Sequence, residues 1–401
     1  MTNNKIKLDK YNHNLYLIAI YTLWLISIFL YFFLDNYIKA GNLVDGVKLG
    51  NDSYFYLGES KNILNGKSSF LDYKSKFGYL LFLLPFLYFN LPLISIVFVQ
   101  LLFTSLSAWC LYKIATKYFC KLSGLICVTL FLFYFPLQIR NFYILTEILF
   151  IDLSIILTFF IVFFRKRYTP TIILLIITLV AIRPNGILFV FSIMFCALYF
   201  LIEYKKKVLL ILFFTILLIT ALPIYNFINI YLENLNLIES LNKGIIWGWS
   251  FENNKICKVS CLSNELINNN YSNTVLGYLQ FVIINFLEYF KIFFLKIFWL
   301  ILRARPYYSD LHNYYILIFD LIFYSSFVYG FIKRPKNIFS INIMLLYILL
   351  SIALVGLTFA DWSGRFSLYF LPFVMIFSSY GILIFIKKIL QMVNKKWNNA
   401  F

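Results

Sequence analysis

Charged side chains are scarce in this chain. Only 13% of its 401 residues are Asp, Glu, Lys or Arg, and 62% are hydrophobic, whereas soluble domains carry about 25% charged residues. Several apolar stretches reach about 20 residues, the length that crosses a bilayer. The composition excludes an ordinary soluble domain and predicts an all-α, polytopic membrane protein, with a single integral membrane domain over residues 1–401.

Histidines are also scarce, and nucleotide-binding loops are missing. The chain has two histidines, and its six cysteines form no metal-ligand array. Cys257 and Cys261 share a polar segment, where they either form a disulfide in an oxidising compartment or stay free thiols. No Walker-type glycine loop occurs, so we expect no direct use of ATP or of a nucleotide sugar.

The net charge of +18 comes largely from Lys and Arg in short runs beside apolar segments. The positive-inside rule explains such runs as cytoplasmic loops, so we expect no nucleic-acid partner. The first apolar stretch, 14–34, follows Lys5, Lys7 and Lys10 and has no small-residue cleavage site. This pattern favours a retained span over a removed signal peptide.

Placing every basic run in the cytoplasm predicts about ten spans with both termini inside. The outer side then carries two polar regions, 35–90 and 229–312, each with an interfacial helix or helices, so we expect substrates to be handled there. The predicted spans are 14–34, 91–112, 122–139, 144–164, two within 169–203, 208–228, 313–332, 338–358 and 366–386.

Two apolar pieces are left out of the spans. Residues 77–89 are too short to cross a bilayer. In residues 279–303, Glu288, Lys291, Lys296 and Arg303 fall on one helical face, which favours a helix lying in the membrane interface. If both pieces crossed, the loops between them would change sides, and that alternative stays open.

A sparse set of charged residues falls mostly on the predicted outer side. Charges near lipid are costly, so we interpret the set as a candidate site for substrate binding and chemistry. Its members are Asp52, Glu147, Asp152, Arg183, Arg303, Arg305, Asp361 and Arg365.

Asp52 is the candidate catalytic residue. It opens a predicted amphipathic helix that ends at Asn65-Gly66. An acid just outside the first span, shielded from bulk water by interfacial helices, suits a general base. Spacing alone favours a helix N-cap instead, because Asp is common at that position.

The other members also have structural explanations. A carboxylate at a helix N-terminus, such as Glu147, is favoured by the helix dipole. Arg183 is also placed to hydrogen-bond carbonyls freed by the break at Pro184. A charge as deep as Asp152 must be paired, hydrated or neutralised. Each residue therefore keeps two interpretations at this point.

Arg365 is the first choice for a phosphate site, because arginine grips phosphate through two parallel hydrogen bonds. Snorkelling to the interface or pairing with Asp361 is the alternative. Arg303 and Arg305 either bind lipid phosphate as part of a substrate site or contact only membrane headgroups, and headgroup contact is favoured. Membrane lipids are thus expected partners.

Short motifs occur in a characteristic order along residues 10–390. They are Asn51-Asp52 with Tyr56, Asn65-Gly66, Phe77-Gly78-Tyr79, Leu111-Tyr112, Lys117-Tyr118-Phe119, Leu145-Thr146-Glu147, Arg183-Pro184 and Gly364-Arg365-Phe366 with Pro372. This ordered set resembles the GT-C superfamily of membrane glycosyltransferases. It is similar to the protein O-mannosyltransferase and lipid A aminoarabinose transferase group, and the resemblance is weakest over residues 229–312.

The resemblance implies a GT-C-like fold, a polyprenyl-phosphate sugar donor and an outer-loop acid as catalytic base. Carried over, Asp52 would deprotonate a hydroxyl or amine of a glycan, lipid or protein acceptor, and the sugar would transfer with inversion. Some relatives carry a tight D-x-D or E-x-D pair. Here Asp45 and Glu59 each lie seven residues from Asp52, so a need for a divalent metal stays open.

The biased composition and the lack of a targeting signal favour a bacterial cytoplasmic membrane, and the cytoplasmic placement of the basic runs puts the active site on its outer face. Two other functions compete with glycosyl transfer. A polysaccharide polymerase or ligase typically has one very large outer loop with several arginines. A transporter of lipid-linked glycans typically shows internal repeats and mid-bilayer charges. The acid directly after the first span favours the transferase.

Overall fold

The computed structural model describes residues 2–38, 43–45, 47–69, 76–203, 229, 238, 241, 271–304, 308–335, 338–358 and 364–400. These residues are predominantly helical, as the composition predicts. The helices are α1 (Thr2–Ile38), α2 (Asn51–Leu64), α3 (Phe77–Tyr88), α4 (Ile94–Tyr118), α5 (Lys121–Leu132), α6 (Phe135–Gln138), α7 (Thr146–Val162), α8 (Thr169–Ile182), α9 (Ile187–Glu203), α10 (Val275–Ile284), α11 (Phe286–Ile301), α12 (Asp310–Ile332), α13 (Phe339–Leu357) and α14 (Leu371–Ala400). A small hairpin, β1 (Leu43–Val44) and β2 (Val47–Lys48), precedes α2.

Six helices in the described part of the chain are long and apolar enough to cross a bilayer. Each overlaps a predicted span, and together they identify the chain as an integral membrane protein. They are Leu15–Phe33, Ile94–Tyr118, Pro184–Glu203, Asp310–Ile332, Phe339–Leu357 and Leu371–Met392.

Three further predicted spans form helices that are short or bent. The span predicted over residues 122–139 is bent. It consists of α5 and the segment Phe135–Phe142, which meet at an angle of 60°. Helix α7 has 17 residues and α8 has 14, so they are about 25 Å and 21 Å long, below the thickness of a bilayer core of about 30 Å. The predicted span 208–228 lies outside the described residues.

The chain forms two compact units, and the first comprises Met1–Val190, Leu321–Leu345 and Leu368–Phe401. In this unit α4 packs against α5 and α7, and α5 packs against α14. Helix α7 is buried around most of its circumference, which explains how a short helix can carry polar residues. Helix α3 crosses α8 at Gly78, where an added Cβ would lie 2.7 Å from the Ala181 carbonyl carbon.

The second unit comprises Phe191–Asp320 and Leu346–Ser367. Its helices α10 and α11 replace the single helix predicted over 279–303, because the chain breaks at Asn285. The prediction that Lys296 lies on a polar face with Glu288 is wrong. Lys296 belongs to the buried stripe of α11, together with Tyr289, Ile292 and Leu300.

Lys296 is buried because it satisfies the end of another helix. Its ammonium group donates to the Thr358 carbonyl, and the Tyr278 hydroxyl donates to the Leu357 carbonyl at 3.1 Å. The last carbonyls of a helix have no partner within the helix, and a cation there also interacts favourably with the helix dipole. Burial lowers the pKa of Lys296 to about 7.

Candidate functional site

Asp52 lies in the first turn of α2, after the hairpin. The N-cap of this helix is Gly50, and Ser53 Oγ accepts a hydrogen bond from the Gly50 amide at 3.2 Å. The N-cap interpretation of Asp52 is therefore wrong, since a glycine occupies the cap. The predicted end of the helix is confirmed, because α2 ends at Leu64 and Gly66 adopts the left-handed conformation, with φ of 68°.

Tyr56 lies one helical turn after Asp52, so both side chains leave α2 on the same side. Tyr56 is 1% exposed, and its hydroxyl is hydrogen-bonded to the side chain of Thr146. Its ring meets the ring of Tyr79 edge-on at 5.1 Å. Burial and then the charge of Glu147 raise the pKa of Tyr56 to about 12, so the phenol stays neutral at physiological pH.

Thr146 and Glu147 form the first turn of α7, as the sequence predicts. Both residues are buried, and the Thr146 hydroxyl lies 3.3 Å from Glu147 Oε2. Amide groups at a helix N-terminus favour a carboxylate. A buried carboxylate nevertheless needs a cation, because burial of an unpaired charge is strongly unfavourable.

Arg183 supplies that cation. It ends α8 in an extended conformation, and its Nη1 atom lies 2.9 Å from Glu147 Oε1 and 2.6 Å from Thr146 Oγ1. The guanidinium group also lies over the ring of Tyr369, 4.9 Å from its centroid. Arg183 thus binds side chains of α7 and the carboxyl-terminal part of the chain.

The structure therefore brings three sequence-predicted residues into one neighbourhood. Asp52 lies near enough to Tyr56 for its charge to act on the phenol, and the Tyr56 hydroxyl is hydrogen-bonded to Thr146. Thr146 in turn contacts both Glu147 and Arg183. We call Tyr56, Thr146, Glu147, Arg183 and Tyr369 the acid–arginine cluster. Thr146 and Tyr369 carry no charge, and sequence reasoning gave them no role of their own.

Lys76 is a further cation beside the acid–arginine cluster. It precedes α3, and its ammonium group lies 5.3 Å from the ring centroid of Tyr56 and 5.8 Å from that of Phe55. A cation over an aromatic face is attracted by the ring quadrupole. In the sequence, Lys76 is simply a lysine beside an apolar segment. That pattern predicts contact with lipid headgroups.

The remaining predicted site residues lie elsewhere. Arg365 belongs to the second unit, where it starts a short 3-10 helix and packs 6.0 Å from the ring of Phe366. Asp361 and Arg305 lie outside the described residues, as do Cys257 and Cys261.

Arg303 is engaged by a carboxylate. It forms an ion pair with Asp320, and its Nε atom donates to Asp320 Oδ2 at 3.3 Å. Both side chains are buried, at 9% and 6% exposure. Asp320 lies midway along the candidate span α12, so Arg303 is held by a carboxylate of the protein itself. Its contact with lipid phosphate or headgroups stays a prediction.

A second network of polar groups packs next to the acid–arginine cluster and involves α3, α4 and the segment that precedes α7. The Tyr79 hydroxyl donates to Gln100 Oε1 at 3.3 Å, and Gln100 Nε2 donates to the carbonyls of Asn141 and Tyr143, each at 3.0 Å. Asp152 is completely buried in the same region, with its Oδ2 atom 2.8 Å from Thr104 Oγ1. The network fixes the segment that leads into Thr146.

The opposite end of α7 is basic. The Lys117 ammonium group, at the end of α4, donates to the Val162 carbonyl at the end of α7. Val162 is 15 residues after Glu147, a separation of about 22 Å along a helix. Exposed Arg165, Lys166 and Arg167 follow directly. The acid–arginine cluster and these basic residues therefore lie at opposite ends of the same helix.

Within the described ranges, no three His, Cys, Asp or Glu side chains come close enough to hold a metal ion. In comparisons with known proteins, no family model matches the chain, and no curated protein is detectably similar to it.

Proposed function

We propose that the chain is a glycosyltransferase that moves a sugar from a polyprenyl-phosphate donor to an acceptor hydroxyl or amine. One observation carries the proposal. Glu147 and Arg183 come from two separate segments, yet they form one buried polar site with Thr146 and Tyr56, and Asp52 lies one helical turn before Tyr56. Charged groups within such helices are expensive and typically functional.

In the proposed reaction Asp52 is the general base. It accepts the proton of the acceptor group while the acceptor oxygen or nitrogen attacks the anomeric carbon of the sugar. The bond between this carbon and the phosphate oxygen breaks, and polyprenyl phosphate leaves with the bonding electrons. Attack opposite the leaving group inverts the anomeric centre.

The leaving phosphate gains negative charge, so cations near it lower the barrier. Arg365 is proposed to bind the phosphate through two hydrogen bonds, and Lys76 is a second candidate beside Tyr56. Glu147 and Arg183 form a fixed pair whose remaining hydrogen-bonding atoms would orient donor or acceptor. Asp361 and Arg305 keep the substrate-binding roles that the sequence predicts.

We further propose ten spans, with both termini in the cytoplasm and the site on the outer face of a bacterial cytoplasmic membrane. The arrangement of α7 supports this orientation. Its acid–arginine end is far from Lys117 and the basic run at 165–167, and basic runs are retained on the cytoplasmic side. A GT-C-like fold and a glycan, lipid or protein acceptor complete the proposal.

The test is a transfer assay in nanodiscs with a membrane lipid extract from the source cells as donor and acceptor source. Wild type is compared with Asp52→Asn, which keeps size but removes the proton acceptor, and mass spectrometry follows the lipid-linked sugars. Glu59→Gln is the matched control, because Glu59 lies on the same helix and contacts Asn62 at 3.2 Å. We expect a loss of at least about 100-fold for Asp52→Asn, within the range for a positioned base, and near wild-type turnover for Glu59→Gln.

Consumption of a polyprenyl-phosphate sugar that is equal in wild type and Asp52→Asn would refute the role of Asp52. Growth of a glycan chain by repeated units would favour a polymerase or ligase. Movement of an intact lipid-linked sugar across the membrane, without transfer, would favour a transporter.

A further inference from the structure

Asp152 is an acid buried inside the first unit, and sequence reasoning left its state open. It lies in α7, is 0% exposed, and its Oδ1 atom makes no hydrogen bond in the described part of the chain. Its contacts there include no cation: Thr104 faces Oδ2 at 2.8 Å, and Ser107 donates to the Asp152 backbone carbonyl at 3.1 Å. Cys110 of α4 is a titratable group close enough for the charge of Asp152 to act on it.

A row of hydrogen bonds beside Asp152 has a fixed direction. At one end of the row is the Phe131 backbone carbonyl, which can only accept a hydrogen bond. Gln138 must therefore present its Nε2 amide, and it does so at 2.9 Å. Its Oε1 atom then faces Asn141, which must present Nδ2, at 3.0 Å. Reversing either amide would place two donors or two acceptors against each other.

The fixed direction determines what Thr104 does. Because Asn141 uses Nδ2 toward Gln138, its Oδ1 atom faces the Thr104 hydroxyl at 2.9 Å. An amide oxygen is an acceptor only, so Thr104 must donate to it. A hydroxyl group has one hydrogen, so Thr104 has none left for Asp152, although the two oxygens are 2.8 Å apart.

We infer that Asp152 is a neutral carboxylic acid that donates its proton to Thr104 and thereby heads a one-way chain of hydrogen bonds ending at the Phe131 carbonyl. An ionised Asp152 would leave one acceptor–acceptor contact at Thr104 and an uncompensated charge among apolar helices. Both arrangements are strongly unfavourable. A neutral acid gives each hydrogen bond from Asp152 to the Phe131 carbonyl one donor and one acceptor.

This chain of hydrogen bonds gives Asp152 a positioning role. It connects α7 and α4 to Asn141 and Gln138, which follow the bend after α5. Gln100 of α4 holds the backbone carbonyls of the same segment. This segment leads directly into Thr146 and Glu147. By holding the segment in place, the neutral acid positions these two residues of the acid–arginine cluster. The inference does not depend on the proposed reaction, because it follows from hydrogen-bond directions alone.

The experiment compares purified wild type, Asp152→Asn and Asp152→Ala in detergent. Asparagine has the size of the neutral acid and can donate to Thr104 through Nδ2. We therefore expect Asp152→Asn to keep the wild-type unfolding midpoint closely, and Asp152→Ala to lower it clearly. The infrared difference spectrum of wild type minus Asp152→Asn should show the carbonyl band of a protonated carboxylic acid at neutral pH.

A carboxylate band in place of the acid band would overturn the inference, whatever the stabilities. Loss of folding in Asp152→Asn equal to that in Asp152→Ala would also overturn it, because a neutral donor would then fail to replace the side chain. Glu147→Gln is the control for the spectrum. Glu147 is paired with Arg183 at 2.9 Å, so this variant should remove a carboxylate band and leave the acid band intact.

Discussion

The buried pair of Glu147 and Arg183 makes a quantitative prediction about stability. The two side chains are 1% and 12% exposed and lie 2.9 Å apart. Removing one partner of a buried ion pair leaves the other charge uncompensated, which costs about 3–5 kcal/mol. We therefore expect Glu147→Met and Arg183→Met to lose about 3–5 kcal/mol each in the free energy of unfolding.

The double variant distinguishes pairing from simple loss of packing. With both charges replaced by methionines, no buried charge is left uncompensated, and such replacements are often close to neutral. We therefore expect the double variant to be more stable than either single variant. The deviation from additivity should be at least about 2 kcal/mol, within the range for directly coupled residues.

The assay is equilibrium unfolding in mixed detergent, followed by intrinsic fluorescence. Lys291→Met serves as the control, because Lys291 is exposed on α11 and substitutions at such positions usually stay within about 0.5 kcal/mol. Additive losses in the double variant would show that the two charges do not stabilise each other. Single variants indistinguishable from Lys291→Met would show that the pair is solvated, and would refute the reasoning.

Two further predictions concern packing and pairing elsewhere in the molecule. Asp320→Ala should destabilise the protein by about 3–5 kcal/mol, since it leaves Arg303 buried without its carboxylate. Asp320→Asn removes the same charge and should lose a similar amount, and a loss within about 0.5 kcal/mol of wild type in both variants would contradict the ion pair. Gly78→Ala should cost about 1–3 kcal/mol through overpacking, because its Cβ would lie 2.7 Å from the Ala181 backbone. Gly58→Ala in α2 is the matched control, since its Cβ meets nothing within 4 Å, and it should be neutral or stabilising by up to about 1 kcal/mol. Thermal unfolding in detergent measures both series, and equal stabilities of the two alanine variants would refute the close contact of α3 with α8.

Some elements could be predicted from the sequence because their causes are local. The extent of α2 follows from its apolar periodicity and from Asn65-Gly66, and the position of Glu147 in the first turn of α7 follows from the apolar run after it. Other local predictions failed. Asp52 has the residue type of an N-cap, but the chain enters the helix through Gly50, and residue preference does not fix that register.

The partners of charged residues could not be predicted where the partner comes from a distant segment. Lys296 has the helical spacing of a polar face, yet it lies in the buried stripe because the end of α13 presents carbonyls to it. Arg303 has the pattern of a headgroup contact, yet it pairs with Asp320, 17 residues later. A helical wheel shows in which direction each side chain of one helix points. It does not show which other segment of the protein packs against that side.

The sequence by itself determined that the chain is an apolar, helical membrane protein, where its basic runs fall, and which few acids and arginines are unusual. These properties are sums over local composition, so no contacts are needed to obtain them. Only the tertiary structure decided which charges meet. Arg183 reaches Thr146 across 37 residues, and the direction of hydrogen bonding from Asp152 to the Phe131 carbonyl depends on five groups drawn from four segments. Charge pairing and proton position depend on distances of about 3 Å, and only the packed helices set those distances.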